Sequence, residues 1–187
     1  MSEKRFYMTC LDLEGRSCLV VGGGTVALEK ARGLLECGAR VTIVAPQVVD
    51  ELVELDVEIH RRGYCTADLD GRFLVVAATS TGSLNRRVSR EAEARSLLCN
   101  VVDVPELCSF ILPAVLRRDP ISVAVSTGGA SPALAQRIRD DIDGLIGPEH
   151  SELARTLRDL RPWAKAHLPT YEDRRRFFAD LVATELR

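Results

Sequence analysis

Cys18-Leu-Val-Val-Gly-Gly-Gly-Thr-Val-Ala27 decides the fold of this chain. The apolar run Cys18–Val21 has strand character. The segment Leu28–Cys37 has helix character. Between them, Gly22, Gly24 and Ala27 fit G-x-G-x-x-A, the phosphate turn of a dinucleotide-binding βαβ unit. Gly22 allows the tight turn, and Gly24 leaves room for a pyrophosphate against bare backbone. Ala27 lets the helix pack close to the strand. The helix N-terminus then offers free N–H groups and the positive end of its dipole. A second strand, Val41-Thr-Ile-Val-Ala45, completes the unit. The competing reading is a glycine-rich turn that binds nothing.

Outward from that turn, strands and helices alternate. Residues 1–17 read as a lead-in whose Phe6, Met8 and Leu11 can cover a sheet edge. The first strand spans about 18–21 and the first helix about 25–37, ended by Gly38 as a left-handed cap. Pro46 stops the second strand. A weak helical pattern comes next at 48–55, then a short strand, Val57-Glu-Ile-His60. Leu74-Val-Val-Ala-Ala78 is apolar throughout, as suits a strand buried on both faces. A helix over Ser83–Arg95 and a strand over Leu97–Val102 come after it. The alternation predicts an α/β fold over residues 1–112: a Rossmann-type, doubly wound parallel sheet.

After residue 108 the pattern changes. Phe110–Leu116 is apolar but interrupted by Pro113, and Ile121–Val125 is a further strand. Thr127-Gly-Gly-Ala-Ser-Pro132 leads into a helix, with Ser131 as N-cap and Pro132 at the first helical position. That helix runs to about Ile146 and stops at Gly147-Pro148. Residues 149–187 read as two amphipathic helices broken near Pro169. They hold too few apolar residues for a core of their own.

The net charge of −2 carries no signature of nucleic acid or membrane binding. Lysine occurs only at 4, 30 and 165, so the cations are nearly all arginines. That is either a compositional bias or a preference for planar carboxylate partners, which guanidinium forks grip in pairs. Six cysteines, at 10, 18, 37, 65, 99 and 108, contain no C-x-x-C pair. They fit buried core thiols of a reducing compartment, with Cys108 set apart by its place beside a candidate active segment. No signal peptide and no apolar run of membrane length is recognised, so the expected location is the cytoplasm. The histidines at 60, 150 and 167 are too dispersed for a metal motif.

Doubly wound sheets bind ligands beyond the carboxyl ends of their strands. Three segments converge there: the turn Gly22-Gly23-Gly24, Thr79-Ser80-Thr81, and Asp103 at the end of Asn100-Val-Val-Asp103. Asp103 can take a substrate proton while a hydride leaves to a nicotinamide ring. Its alternative is an ordinary strand-end Asp capping the next turn. Thr127, Gly128 and Gly129 present either an anion-binding loop or a plain strand-to-helix turn. Arg86, Arg87, Arg90, Arg117 and Arg118 can line a cleft for an acidic ligand or only solvate their faces. The second strand ends in Val44-Ala-Pro46-Gln47, without the acid that often holds the adenosine ribose and without an arginine for a 2′-phosphate. Gln47 or backbone groups must serve there, which favours NAD over NADP.

These motifs, with Lys30, Asn85, Pro105-Glu-Leu-Cys-Ser-Phe110 and Ser126-Thr-Gly-Gly-Ala-Ser-Pro132, resemble the precorrin-2 dehydrogenase family. This is the dehydrogenase–ferrochelatase module of siroheme synthase, and the likeness runs over about residues 8–180. It implies NAD-dependent oxidation of precorrin-2 to sirohydrochlorin and, in some members, insertion of ferrous iron. Cobalt is the alternative metal, and in either case the metal is a substrate held by the macrocycle. The resemblance further implies a homodimer, with 113–147 as the dimerisation region and 148–187 as a helical domain. It carries the general base onto Asp103 and cofactor contacts onto Thr25, Val26, Pro46 and Gln47, beside Gly22, Gly23, Gly24 and Thr79. The candidate substrate contacts are Thr127, Gly128, Gly129, Ser131 and Arg117.

The chain departs from the family at Ser80, where many relatives carry Asp. It also departs at Thr127, where some carry a phosphorylated serine. The methyltransferase half of longer siroheme synthases is absent, so another protein is expected to supply the substrate. Two further classes stay open, since fold does not fix function. One is a non-catalytic tetrapyrrole-binding or delivery protein; the other is a nucleotide-sensing regulatory module.

Overall fold

The computed structural model describes residues 6–186. The first five residues of the expected lead-in lie outside the described residues. Five strands form one parallel sheet: β1 (Ser17–Val21), β2 (Arg40–Val44), β3 (Glu58–His60), β4 (Leu74–Ala77) and β5 (Leu98–Val101). Their order is β3-β2-β1-β4-β5. The helices between them are α1 (Thr25–Leu35), α2 (Asp50–Val53) and α3 (Gly82–Glu93). The Rossmann-type, doubly wound sheet expected from the alternation is borne out.

Side-chain alternation along the strands builds two cores. Cys18, Val20, Val41, Ile43, Leu74 and Val76 face one way and pack against Ala27, Leu28, Ala31 and Leu34 of α1. Leu19, Val21, Val75, Ala77, Cys99 and Val101 face the other way, against Val88 and Ala92 of α3. With both faces covered, the strands read as unbroken apolar runs. The register aligns Val21 with Val44 and Ala77, and Ala77 with Val101. Four strands therefore end at one level, and the segments leaving them form a common rim.

Several boundaries differ from expectation. Helix α1 stops at Leu35, because Cys37 and Gly38 donate to the carbonyls of Leu34 and Leu35 in a tightened turn before Gly38 takes φ +76°. The pattern over 48–55 yields only the single turn of α2. Two 3-10 turns, Thr66–Leu69 and Pro105–Leu107, have no counterpart in the sequence pattern. Of the cysteines, Cys18, Cys99 and Cys108 are buried, but Cys10 and Cys65 are exposed; none forms a disulfide. Burial pushes the Cys18 thiol up to about 11 and the Cys99 thiol up to about 12.

The outer edge of β5 is covered by the returning segment Cys108–Phe110. Ser109 N–H donates to the Cys99 carbonyl (2.9 Å), and Cys99 N–H donates to Ser109 Oγ (2.8 Å). Val101 N–H donates to Cys108 Sγ (3.2 Å), and Asn100 Nδ2 donates to the Phe110 carbonyl (3.1 Å). Side chains thus complete a ladder that a sixth strand would otherwise make.

A second compact unit begins at Pro113. Strands β6 (Ala114–Arg118) and β7 (Ile121–Val125) form an antiparallel hairpin closed by Asp119 and Pro120, joined by a cis peptide bond. Helices α4 (Pro132–Asp143), α5 (Pro148–His167) and α6 (Tyr171–Glu185) complete the unit. Helix α4 packs on the hairpin, and α5 packs on β7 and α6. Helix α4 ends before Ile146 because Leu145 and Ile146 fold into i→i−3 bonds. Among its described residues only Leu116, Ala135, Ser151 and Ala164 are buried, while Leu134, Ile138, Leu145 and Trp163 are exposed. Among the described residues no helix is long and apolar enough to cross a membrane.

Candidate functional site

The rim of the sheet gathers the expected segments of the first unit. Gly22 leaves β1 at φ +130°, and a Cβ on it would stand 2.3 Å from the Ala78 carbonyl oxygen. Only glycine can turn that close to the end of β4. At Gly23 a Cβ would meet the Gln47 carbonyl oxygen at 2.0 Å, where the loop after β2 is tied down by Val49 N–H donating to the Gly23 carbonyl (2.8 Å). Gly24 is different. A Cβ there would meet nothing within 4 Å, and its backbone is ordinary extended chain, φ −88°. Nothing among the described residues demands glycine at that position. Gly24, Thr25 and Val26 are exposed, and no side chain caps the first turn of α1. An uncapped helix N-terminus facing open space fits a phosphate-bearing dinucleotide. Gly22, Gly23, Gly24, Thr25 and Val26 would hold its diphosphate. The exposed Pro46 and Gln47 adjoin that turn on the β2 side.

Strand β3 adds something the sequence concealed. Its end is bonded to the end of β2, with Ala45 N–H donating to the His60 carbonyl (3.2 Å). His60, Arg61 and Arg62 therefore lie beside the loop that lacks an acid. Arg62 is committed elsewhere: it grips Asp68 with both guanidinium nitrogens, at 2.5 and 2.9 Å. Arg61 is exposed. Only the parallel pairing of β2 and β3 reveals this positive flank.

Thr79, after β4, turns its hydroxyl inward. It donates to Asn85 Oδ1 (2.7 Å) and accepts from Thr81 N–H (3.1 Å), while Asn85 Nδ2 donates to the Thr79 carbonyl (2.9 Å). Asn85 is buried on α3. The pair fixes the loop at the mouth of the sheet. The motif pattern contains Asn85 but gives it no role, because its partner lies six residues away across a loop.

Asp103 lies two residues beyond β5. It is exposed and sits at φ +60°, a left-handed conformation that Asp tolerates better than most residues. Its side chain caps nothing: the 3-10 turn after it has no side-chain cap, and the carboxylate makes no hydrogen bond or ion pair among the described residues. The capping alternative is thereby removed. Asn100, buried one residue before the end of β5, anchors the returning segment that follows this bend. In the sheet, β5 stands two strands from β1, about 10 Å by ordinary strand spacing.

Helix α3 flanks the rim. Arg87 is bound to Glu91 (2.7 Å) and lies over the Tyr64 ring. Burial raises the Tyr64 hydroxyl, as does its hydrogen bond to Glu91. Burial works against the Glu91 carboxylate too, but the hydrogen bonds from Arg87 and Tyr64 prevail and hold it low.

In the second unit the loop differs from the anion-binding reading. Gly128 N–H donates to Ser126 Oγ (3.2 Å), Ala130 N–H to the Thr127 carbonyl (3.0 Å), and Ser131 N–H to Thr127 Oγ (3.0 Å). Thr127 Oγ also donates to the Ser131 carbonyl (3.0 Å). The loop spends most of its donors on itself, as a strand-to-helix turn does. Ser131 Oγ accepts from Leu134 N–H (3.2 Å), the expected N-cap of α4. Arg117 is exposed on β6, and Arg118 pairs with Asp143 (2.5 Å).

Comparison with known proteins agrees with this geometry. Residues 9–114 match a family described as putative NAD(P)-binding, and residues 118–145 match the sirohaem biosynthesis protein central family. Siroheme synthase of Thioalkalivibrio sulfidiphilus is 45% identical over 181 residues, covering 95% of this chain and 37% of that protein. Siroheme synthase of Ectopseudomonas mendocina is 46% identical over 176 residues, with 93% and 38% covered. The chain thus spans less than two fifths of the length of these relatives. A solved structure titled SirC, precorrin-2 dehydrogenase, superposes with a TM-score of 0.80 at 28% identity, covering 97% of this chain and 93% of that one. The family likeness read from the motifs is borne out. With its nucleotide turn, its five-stranded parallel sheet and a match over residues 9–114, the chain belongs to the putative NAD(P)-binding family.

Proposed function

We propose that this protein oxidises precorrin-2 to sirohydrochlorin with NAD. One observation carries this reading: an exposed carboxylate, Asp103, with no partner among the described residues, held in a left-handed bend on the same rim as the glycine turn. When bound, the nicotinamide supplies the hydride acceptor. The chain supplies the rest. Gly22 and Gly24 admit the diphosphate to the N-terminus of α1, and Asn85 holds the Thr79 loop in place. As a hydride departs from one substrate carbon to the nicotinamide, the Asp103 carboxylate takes a proton from an atom conjugated to that carbon, and the freed electron pair closes the new double bond, so two electrons and two hydrogens are removed. A carboxylate with no partner among the described residues is available for that transfer.

NAD is the cofactor the loop after β2 favours, and titrations of NAD against NADP test the flank formed by Arg61. Metal insertion is a second proposed step, with ferrous iron or cobalt entering the macrocycle as substrate. The second unit is proposed to contain the dimerisation region, 113–147, and a helical domain, 148–187. Supporting this are its small buried core and the exposed Leu134 and Ile138, one turn apart on α4.

The decisive experiment mixes protein, NAD and precorrin-2 without oxygen and tracks NADH absorbance. Growth of that absorbance in step with sirohydrochlorin is expected. Its absence, with tetrapyrrole binding retained, would leave a binding protein and reject the oxidoreductase.

A further inference from the structure

Helix α3 carries Arg86, Arg87 and Arg90, with Arg95 just past its end, and the four divide into two kinds. Arg87 is bound to Glu91, and Arg95 lies 3.7 Å from Asp70. Arg86 and Arg90 form no ion pair and no hydrogen bond among the described residues. They stand one turn apart, with Ser83 one turn before them, so the three share one face of α3. The opposite face, with Asn85, Val88, Ser89 and Ala92, is buried against the sheet.

That open face lines a cleft of about 340 Å³, walled by Ser83, Arg86, Arg90 and Leu107. Leu107 closes the 3-10 turn that begins two residues after Asp103. The turn is locked to α3, since Ser89 Oγ donates to the Leu107 carbonyl (2.8 Å). The cleft and the Asp103 bend are therefore carried by one short segment fixed to one helix. Its volume is at the low end for ligand pockets, enough for one arm of a large ligand and too small for a macrocycle. Two guanidinium groups and a hydroxyl, with one apolar wall, suit an anionic group on a short aliphatic stem.

We propose that Arg86 and Arg90, with Ser83, form a subsite for a carboxylate arm of the substrate. Leu107 covers the methylene stem, and the subsite orients the reacting carbon toward Asp103. The inference rests on the tetrapyrrole reading of the site, because that substrate is rich in carboxylate arms. The shared chemistry is anion binding, and a cofactor phosphate is the other anion within reach of the rim.

The test uses the whole chain and four variants: Arg86→Ala, Arg90→Ala, the double variant, and Arg158→Ala as a surface control on α5. KM for precorrin-2 should rise about tenfold for each single variant, the scale of one lost charge-assisted contact, and more for the double variant. The dissociation constant for NAD should move less than twofold, and Arg158→Ala should match the parent. Arg86→Lys with Arg90→Lys should recover only part of the loss, since ammonium groups cannot fork. A direct titration with uroporphyrin, a polycarboxylate porphyrin that needs no turnover, should show the same order of affinities. If the parent turns over but KM and uroporphyrin affinity are unmoved in the double variant, the subsite is overturned and the proposed reaction stands. If the parent makes no NADH yet uroporphyrin affinity falls in the variants, the reaction is rejected and the anion subsite stands. A loss of NAD affinity alone assigns the arginines to the cofactor and overturns the subsite.

Discussion

Gly22 and Gly24 stand two positions apart and are glycine for different reasons. A methyl at Gly22 runs into the Ala78 carbonyl at a φ that side chains avoid. Gly22→Ala should cost about 2 kcal/mol or more, read as a lower urea midpoint. A methyl at Gly24 enters open space. Gly24→Ala should cost less than about 1 kcal/mol, the range for a changed N-cap, yet weaken NAD binding tenfold or more in a calorimetric titration. Unchanged affinity in that variant would remove the diphosphate from the turn. Asp103→Asn keeps a residue that tolerates the left-handed bend while deleting the base. Turnover should fall about 10²- to 10⁴-fold with the melting temperature and NAD affinity unmoved. The spacing of the glycines was legible in the sequence because phosphate turns impose it. The conformation of Asp103 was not, since its φ is set by how the chain turns back along β5 toward Cys108.

The strands were legible as apolar runs because helices cover both sheet faces, and their ends were read to within a residue or two. The 3-10 turns were not, having neither a period nor enough length to leave a pattern. One of them holds a pH-sensitive pair. Asp68 is 6% exposed, and its carboxyl is held down to about 2. Hydrogen bonds from Arg62 are the main cause, outweighing burial and aided by the Cys65 N–H. In the unfolded chain it returns to an ordinary value near 4. The stabilisation is therefore complete above about pH 4 and is lost as pH falls toward about 2. Urea midpoints at about pH 5 and pH 3 should separate for the parent more than for Asp68→Asn, which removes the titrating group. Equal separations would place the acid sensitivity elsewhere.

The change of pattern near residue 110 was visible in sequence as the end of strand–helix alternation, and the second compact unit begins at Pro113. The pairing of β6 with β7 and the inward use of donors in the Thr127 loop were not visible, because both depend on which residues fold back on which. With Leu134, Ile138 and Leu145 exposed, this unit leaves apolar surface uncovered that a second copy would bury. Sedimentation should give twice the monomer mass, and Leu134→Glu with Ile138→Glu should shift it toward the monomer. A monomeric parent at micromolar concentration would exclude the proposed dimerisation region.

The sulfur of Cys108 and the hydroxyl of Ser109 occupy the berth beside β5 where another strand would dock. This flank of the sheet is sealed by its own chain, so neither a neighbouring molecule nor an added domain can extend the sheet there. Growth by strand addition to this sheet is confined to the far flank at β3, which is only three residues long. A partner that meets the β5 flank must therefore attach by packing, and the rim on that side keeps its frame.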